Sequence, residues 1–343
     1  MNHQNQICQF QRIHPPKKIA ISGASSQICT SISFRIASGQ LAGQEQMIDL
    51  YLYDSIEMED AVKGLQAEIQ DSAFPLVGKI VVTTNKDIAF RDAEFIFLCG
   101  SKLREPSVLK KNHSNRESSL LYQDYGKSIS NWAKRDCRVL VVGNPPNTNC
   151  LISCLNSQSL PKHNFSALSR LDHNRAKSVL ALKTESLICD VSQVAVWGNS
   201  SSTIYPDLRN TKIRERQVLD MVESKWITDE FIPSVQNRAK EIIQLKKIAP
   251  ASSVGKAAVD QMREWVYGSD DWQSLALYND REGQKYTEVP EGLIFSFPCQ
   301  VDCHGYVQYL DWIEINDEIS SKLIKATVDE LLAERQEIED LLP

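Results

Sequence analysis

Short apolar runs alternate with segments of helical spacing through the first half of the chain. "KKIAIS" (17–22) is a β-branched run, and "QICTSISFRIASG" (27–39) spaces its apolar residues as a helix does before stopping at Gly39. "MIDLYLYD" (47–54) predicts a second strand with Asp54 at its end, and "MEDAVKGLQAEIQD" (58–71) an amphipathic helix. Further buried strands are expected in "KIVVTT" (79–84), "AEFIFLCG" (93–100) and "CRVLVVGNP" (137–145). This β-α-β alternation predicts a parallel, doubly wound sheet with ligands at the carboxyl ends of its strands.

After about residue 150 the pattern changes. Long helical stretches are expected near 170–186, 212–247 and 251–267, with short antiparallel strands at "QVAVWG" (193–198), "EGLIFSFP" (291–298) and "GYVQYL" (305–310). A charged helix closes the chain at 320–342. The expected organisation is a lead-in at 1–16, a sheet domain at 17–150 and an α+β domain at 151–343. Residues 1–16, "MNHQNQICQFQRIHPP", have no signal-peptide apolar run and read as a flexible tail that stops at Pro15 and Pro16. No internal repeat is visible.

Composition narrows the function classes. The 343 residues exceed what one simple core accommodates and fit two packed domains. A net charge of -6 and a pI near 5.6, with no basic stripe, argue against a nucleic-acid binder. No apolar run reaches about 18 residues, so no membrane span is expected. Nine scattered cysteines suit a reducing compartment, most simply the cytoplasm. The spacings Cys150/Cys154 and Cys299/Cys303 invite a metal reading, but no histidine stands beside them at zinc spacing, and "TNCLISCL" reads as a buried helix.

The turn "GASSQIC" (23–29) joins the first strand to the first helix, with Asp54 ending the next strand. A dinucleotide site needs glycines there for the tight turn, for backbone approach to the pyrophosphate and for helix–sheet packing, and an acid for the ribose hydroxyls. Gly23 meets the first need, while Ser26 and Cys29 take the later glycine positions. Asp54 repels the 2′-phosphate of NADP, so NAD is the expected cofactor. A sheet of this type that binds no nucleotide stays open as the alternative.

Three segments carry a sharper signal: "VVGNPPNTN" (141–149), "SRLDHNRAK" (169–177) and "WGNSSSTIYPD" (197–207). With "IQDSAFPL" (69–76) and "FSFP" (295–298) they resemble malate dehydrogenases of the cytosolic type, a likeness that runs from about residue 17 to 340. The resemblance implies a Rossmann-type domain with six parallel strands, followed by an α+β substrate domain, in a subunit that forms a homodimer through its helices. It implies hydride transfer between NAD and a small dicarboxylate, malate or oxaloacetate. It assigns the cofactor to Gly23, Ser26, Gln27, Ile28, Asp54, Gly100, Val142, Gly143, Asn144 and Ser253. It assigns the substrate to Arg104, Lys110, Asn144 and Arg175, and the orienting carboxylate to Asp172.

Two positions depart from that pattern. Ser200 stands where the proton-transferring histidine belongs, and a serine hydroxyl titrates far too high to accept a proton at neutral pH. Lys110, or Lys111 after a shift of one residue, replaces a loop arginine and loses its planar fork. Neither Asn112 nor Asn115 replaces the loop's usual asparagine. His173 belongs to the family pattern itself and is expected to point away. The reading is a malate dehydrogenase-like protein, catalytically impaired, binding NAD weakly and serving a binding or structural role with a protein partner the sequence does not identify. An active NAD-dependent malate or related 2-hydroxy-acid dehydrogenase is the alternative, as is a purely structural Asp172–Arg175 ion pair.

Overall fold

The computed structural model describes residues 15–100, 116–281 and 286–343. The first domain runs β1 (Lys17–Ser22), α1 (Gln27–Ala37), β2 (Ile48–Tyr53), α2 (Glu59–Asp71), β3 (Val77–Thr83), α3 (Lys86–Phe90), β4 (Phe95–Leu98), α4 (Arg116–Trp132), β5 (Arg138–Val141), α5 (Pro146–Leu155) and β6 (Phe165–Ala167). Six strands pair in parallel in the order β3-β2-β1-β4-β5-β6. The chain reverses direction across the sheet between β1 and β4, which opens the crevice where such sheets take ligands. The central strands are buried on both faces, which explains their unbroken apolar runs. Ile19 and Ile21 of β1 join one core while Ala20 between them joins the other, and in β4 Phe97 and Ile96 divide in the same way.

The rest comprises α6 (Arg170–Lys183), β7 (Val191–Ser192), β8 (Ala195–Trp197), β9 (Tyr205–Asp207), β10 (Lys212–Ile213), β11 (Arg216–Gln217), α7 (Ile232–Lys246), α8 (Ser252–Tyr267), β12 (Gln273–Tyr278), β13 (Ile294–Val301), β14 (Val307–Tyr309) and α9 (Glu318–Glu337). The parallel sheet does not end at β6. Strands β12, β13 and β14 continue it antiparallel, giving nine strands in all, with β6 joined to β12 at Ala167↔Ala276 and Ser166↔Leu277.

The structure corrects the sequence expectation in two places. The parallel sheet extends past residue 150, because the three-residue β6 lies at 165–167. The helix expected over 212–247 does not begin at 212. Residues 212–217 form the β10–β11 hairpin, with Arg214 in the left-handed region (φ 56°) and its N–H on the Asp190 carbonyl at 2.7 Å. After a 3-10 turn at Val218–Asp220, the continuous helix begins at Ser224–Trp226, passes through a π-turn at Ile227–Phe231 and enters α7. Residues 1–14 of the expected tail lie outside the described residues. Among the described residues no helix is long and apolar enough to cross a membrane. The eight described cysteines are free thiols, Cys150 and Cys154 are buried in α5, and no metal-binding cluster occurs among the described residues.

Candidate active site

The nucleotide turn is shaped by close backbone contact. Gly23 has φ +67°, and a Cβ there would stand 2.6 Å from the Gly100 Cα, so no side chain is tolerated. Asp54 folds back on the turn, with Oδ2 accepting from the Ser25 N–H at 2.9 Å and Oδ1 from the Ser55 N–H at 2.8 Å. Ser26 caps α1, its Oγ accepting from the Cys29 N–H at 3.3 Å. The N–H groups of Gln27 and Ile28 precede the first intrahelical acceptor, so they remain available to an anion. These residues fit a dinucleotide: a tight glycine turn, helix N–H groups for pyrophosphate and a carboxylate for ribose. The Ser26 hydroxyl takes one N–H of that helix end for itself.

The opposite wall comes from the end of β5. Val142 and Gly143 both donate to the Leu98 carbonyl, at 2.8 and 3.1 Å. Tyr122 donates to the Gly100 carbonyl at 2.7 Å and presses on Gly143 so closely that a Cβ there has no room. Helix α8 leans on α1 through Gly255, where a Cβ would lie 2.6 Å from the Ser31 Cβ, and carries the exposed Ser253 in its first turn. Of the cofactor residues named from the sequence, Gly23, Asp54, Gly100, Val142 and Gly143 are thus brought together at the carboxyl ends of the strands.

The second cluster lies beside it. A cavity of about 360 Å³ is walled by Asn144, Pro145, Asp172, Arg175, Asn199, Ser200, Ser201, Ser202, Gln236, Ala239, Lys240 and Glu334. Asp172 and Arg175 sit one turn apart on α6 and form an ion pair, with Arg175 Nη1 donating to Asp172 Oδ1 at 2.7 Å. Ser200 Oγ donates to the other carboxylate oxygen at 2.6 Å. Burial pushes the Asp172 carboxyl up, against the opposing pull of Arg175 and the Ser200 hydroxyl. Both oxygens of Asp172 are therefore engaged, one by the Arg175 guanidinium and one by the Ser200 hydroxyl.

The serine loop is rigidly supported. Gly198 has φ +95° and packs against Thr327 of α9, where a Cβ would come within 2.8 Å of the threonine Cβ. The Asn199 N–H donates to Thr327 Oγ1 at 2.8 Å, and the Ser200 N–H reaches Asn147 Oδ1 at 3.3 Å. His173 faces the other way, with Nδ1 on Ser274 Oγ at 3.1 Å. Burial, reinforced by Arg170 and Lys177, holds its imidazole well below the usual histidine range. It is neutral, buried and away from the cavity, as its place on the helix implies, and no histidine is among the described residues that line the cavity.

Arg104, Lys110 and Lys111, with Asn112 and Asn115, lie outside the described residues. The structure adds groups that the sequence did not single out. Glu334 of α9 accepts from the Thr148 hydroxyl and from Asn199 Nδ2 at 3.3 Å, and burial raises its carboxyl. Asn199 is 1% exposed, and its Oδ1 has no hydrogen-bond partner among the described residues. Gln236, Ala239 and Lys240 share the cavity-facing side of α7. Asn199 lies within the "WGNSSSTIYPD" segment without having been singled out, while Glu334, Gln236, Ala239 and Lys240 sit in segments that read as ordinary polar helix faces.

Comparison with known proteins agrees with this geometry. Residues 17–166 match the family model described as lactate/malate dehydrogenase, NAD binding domain, and residues 169–342 match the lactate/malate dehydrogenase alpha/beta C-terminal domain. A malate dehydrogenase from Naegleria fowleri superposes with a TM-score of 0.91 at 36% identity, over 96% of this chain and 100% of that one. A Trichomonas vaginalis lactate dehydrogenase, solved with NADH and oxamate, gives a TM-score of 0.88 at 31% identity, over 95% of this chain and 98% of that one.

Proposed function

Because the chain belongs to the lactate/malate dehydrogenase family, whose members are NAD-dependent oxidoreductases, we propose that it is a malate dehydrogenase-like protein that binds NAD and a small dicarboxylate and transfers hydride poorly. The observation that carries this reading is the hydrogen bond from Ser200 to Asp172. Oxidation of a 2-hydroxy acid requires a group that takes the hydroxyl proton as the hydride leaves, and a positioned general base contributes roughly 10²–10⁴-fold in rate. The serine hydroxyl already gives its proton to Asp172 and is too weak an acid to cycle as an imidazole does. Asp172 is held by Arg175 and sits behind the serine.

NAD, when bound, takes or supplies the hydride. Gly23 and the first N–H groups of α1 would hold its pyrophosphate and Asp54 its adenosine ribose, with Gly100, Val142, Gly143 and Ser253 around the remainder. Arg175 would grip a substrate carboxylate through the guanidinium donors that Asp172 leaves unused. We further propose that the chain acts in the cytoplasm as a homodimer and that its role is binding or structural, through a protein partner.

One observation favours the alternative of a working enzyme. Glu334 lines the same cavity with a carboxyl raised by burial, and so offers a second proton acceptor. The test is calorimetric titration with NADH alongside steady-state oxidation of NADH by oxaloacetate, run beside the Naegleria fowleri enzyme. Binding of NADH with turnover lower by roughly 10²-fold or more supports the proposal. Comparable turnover that disappears in Glu334→Gln overturns it in favour of the active reading.

A further inference from the structure

We propose that Lys240 makes this cavity selective for a ligand with two carboxylates, by meeting the second carboxylate from α7 while Arg175 holds the first; the inference rests on the dicarboxylate reading above. Gln236, Ala239 and Lys240 follow the i, i+3, i+4 spacing of a single helix face, and all three line the cavity. Lys240 therefore lines the same cavity as Arg175, and Ala239 beside it leaves room for a ligand.

The charges around the cavity support the assignment. Asp172 is engaged by Arg175 and Ser200, and Glu334 by Thr148 and Asn199. On α7 itself, Arg238 is paired with Glu241 at 2.7 Å. Lys240 has no carboxylate within ion-pair distance among the described residues, and its ammonium reaches only Asn237 Oδ1, at 3.5 Å. An exposed lysine without a partner is ordinary on a solvated helix face. This one lines the same cavity as Arg175, whose side chain is 12% exposed, so a single ligand there meets two cations. A monocarboxylate can satisfy one of them; a dicarboxylate such as malate satisfies both. The lysine acts as a point charge and needs no defined fork geometry, so it serves from the end of a flexible stem on a fixed helix.

The experiment is calorimetric titration of the full chain with L-malate and L-lactate, each in the presence of NAD⁺. The unsubstituted chain is expected to bind L-malate roughly tenfold more tightly than L-lactate. Lys240→Met keeps the stem, removes the charge and should bring that ratio close to one, while lactate affinity, which serves as the folding control, stays unchanged. Lys240→Arg should preserve the ratio. An unchanged ratio in Lys240→Met overturns the inference, as does a ratio near one in the unsubstituted chain, and both leave acid binding itself intact. Failure of the unsubstituted chain to bind either acid overturns the dicarboxylate reading together with the inference.

Discussion

At the scale of single residues, the proposed impairment rests on groups that act together. Ser200→His frees the Asp172 oxygen now taken by the serine hydroxyl, so an imidazole finds its orienting partner in place. It does not replace the loop arginine, and Ser26 still holds an N–H of α1. Ser200→His alone is expected to raise kcat/KM for oxaloacetate by less than about tenfold. The triple variant with Ser26→Gly and Lys110→Arg should gain about 100-fold or more, because proton transfer, positioning and cofactor binding fail as a unit. Full recovery in the single variant would show that the histidine is the whole defect. Ser26→Gly alone should tighten NADH roughly 2- to 10-fold in a fluorescence titration, since the Cys29 N–H is released and glycine is still an adequate cap. Equal affinities would mean that the serine is harmless. Lys18 on β1 gives a pH signature independent of the site. Its ammonium lies over the Tyr51 ring and donates to the Ile88 carbonyl, and burial lowers it to about 8 from 10.5, with Asp92 pulling the other way. The unfolded chain thus keeps a proton that the folded chain has released between these values. Stability relative to Lys18→Met should rise from about pH 7 to about pH 10 in denaturant titrations; a fall over that range would contradict the assignment.

At the scale of elements, the parallel strands were legible because apolar runs mark them: β1, β2, β3 and β4 stand within two residues of where the pattern puts them, and β5 starts one residue late and ends four residues early at Val141. Strand β6 was not, since three residues, "FSA", hold too little pattern and depend on β5 and β12 for their pairing. Residues 212–223 misled for the opposite reason. Ile213, Val218 and Val222 are spaced as on a helix, yet β7 captures the segment as a hairpin. The candidate site was legible where a motif concentrates chemistry, as in "LDHNRAK" and the serine loop. Glu334 and Lys240 were not, because only tertiary packing of α9 and α7 brings them to the cavity. Helix α9 is also what holds the serine loop in place. Thr327→Val keeps the shape of the side chain but leaves the buried Asn199 N–H without an acceptor, and should cost about 1–3 kcal/mol in equilibrium unfolding. A neutral result would mean that the loop takes its conformation from Gly198 and Asn147 alone.

At the scale of the molecule, several large apolar side chains stay exposed in the single subunit, among them Leu182, Leu187, Leu245 and Ile248, each more than 60% accessible. Apolar side chains exposed singly are ordinary on a protein surface, so the proposed homodimer is tested by mass in solution. Light scattering at micromolar concentration should give twice the subunit mass of 38.7 kDa; a monomer would remove the dimer and leave the fold untouched. The junction of β6 with β12 has a further consequence, for how the chain is made. The six parallel strands are complete at Ala167, but the strand that covers their open side begins only at Gln273. During synthesis the N-terminal half must therefore wait, with the backbone groups of β6 unpaired, while more than a hundred residues follow. Over that interval the nascent chain is most exposed to pairing with a neighbour, and a chaperone that shields strand edges would have its greatest effect before β12 is translated.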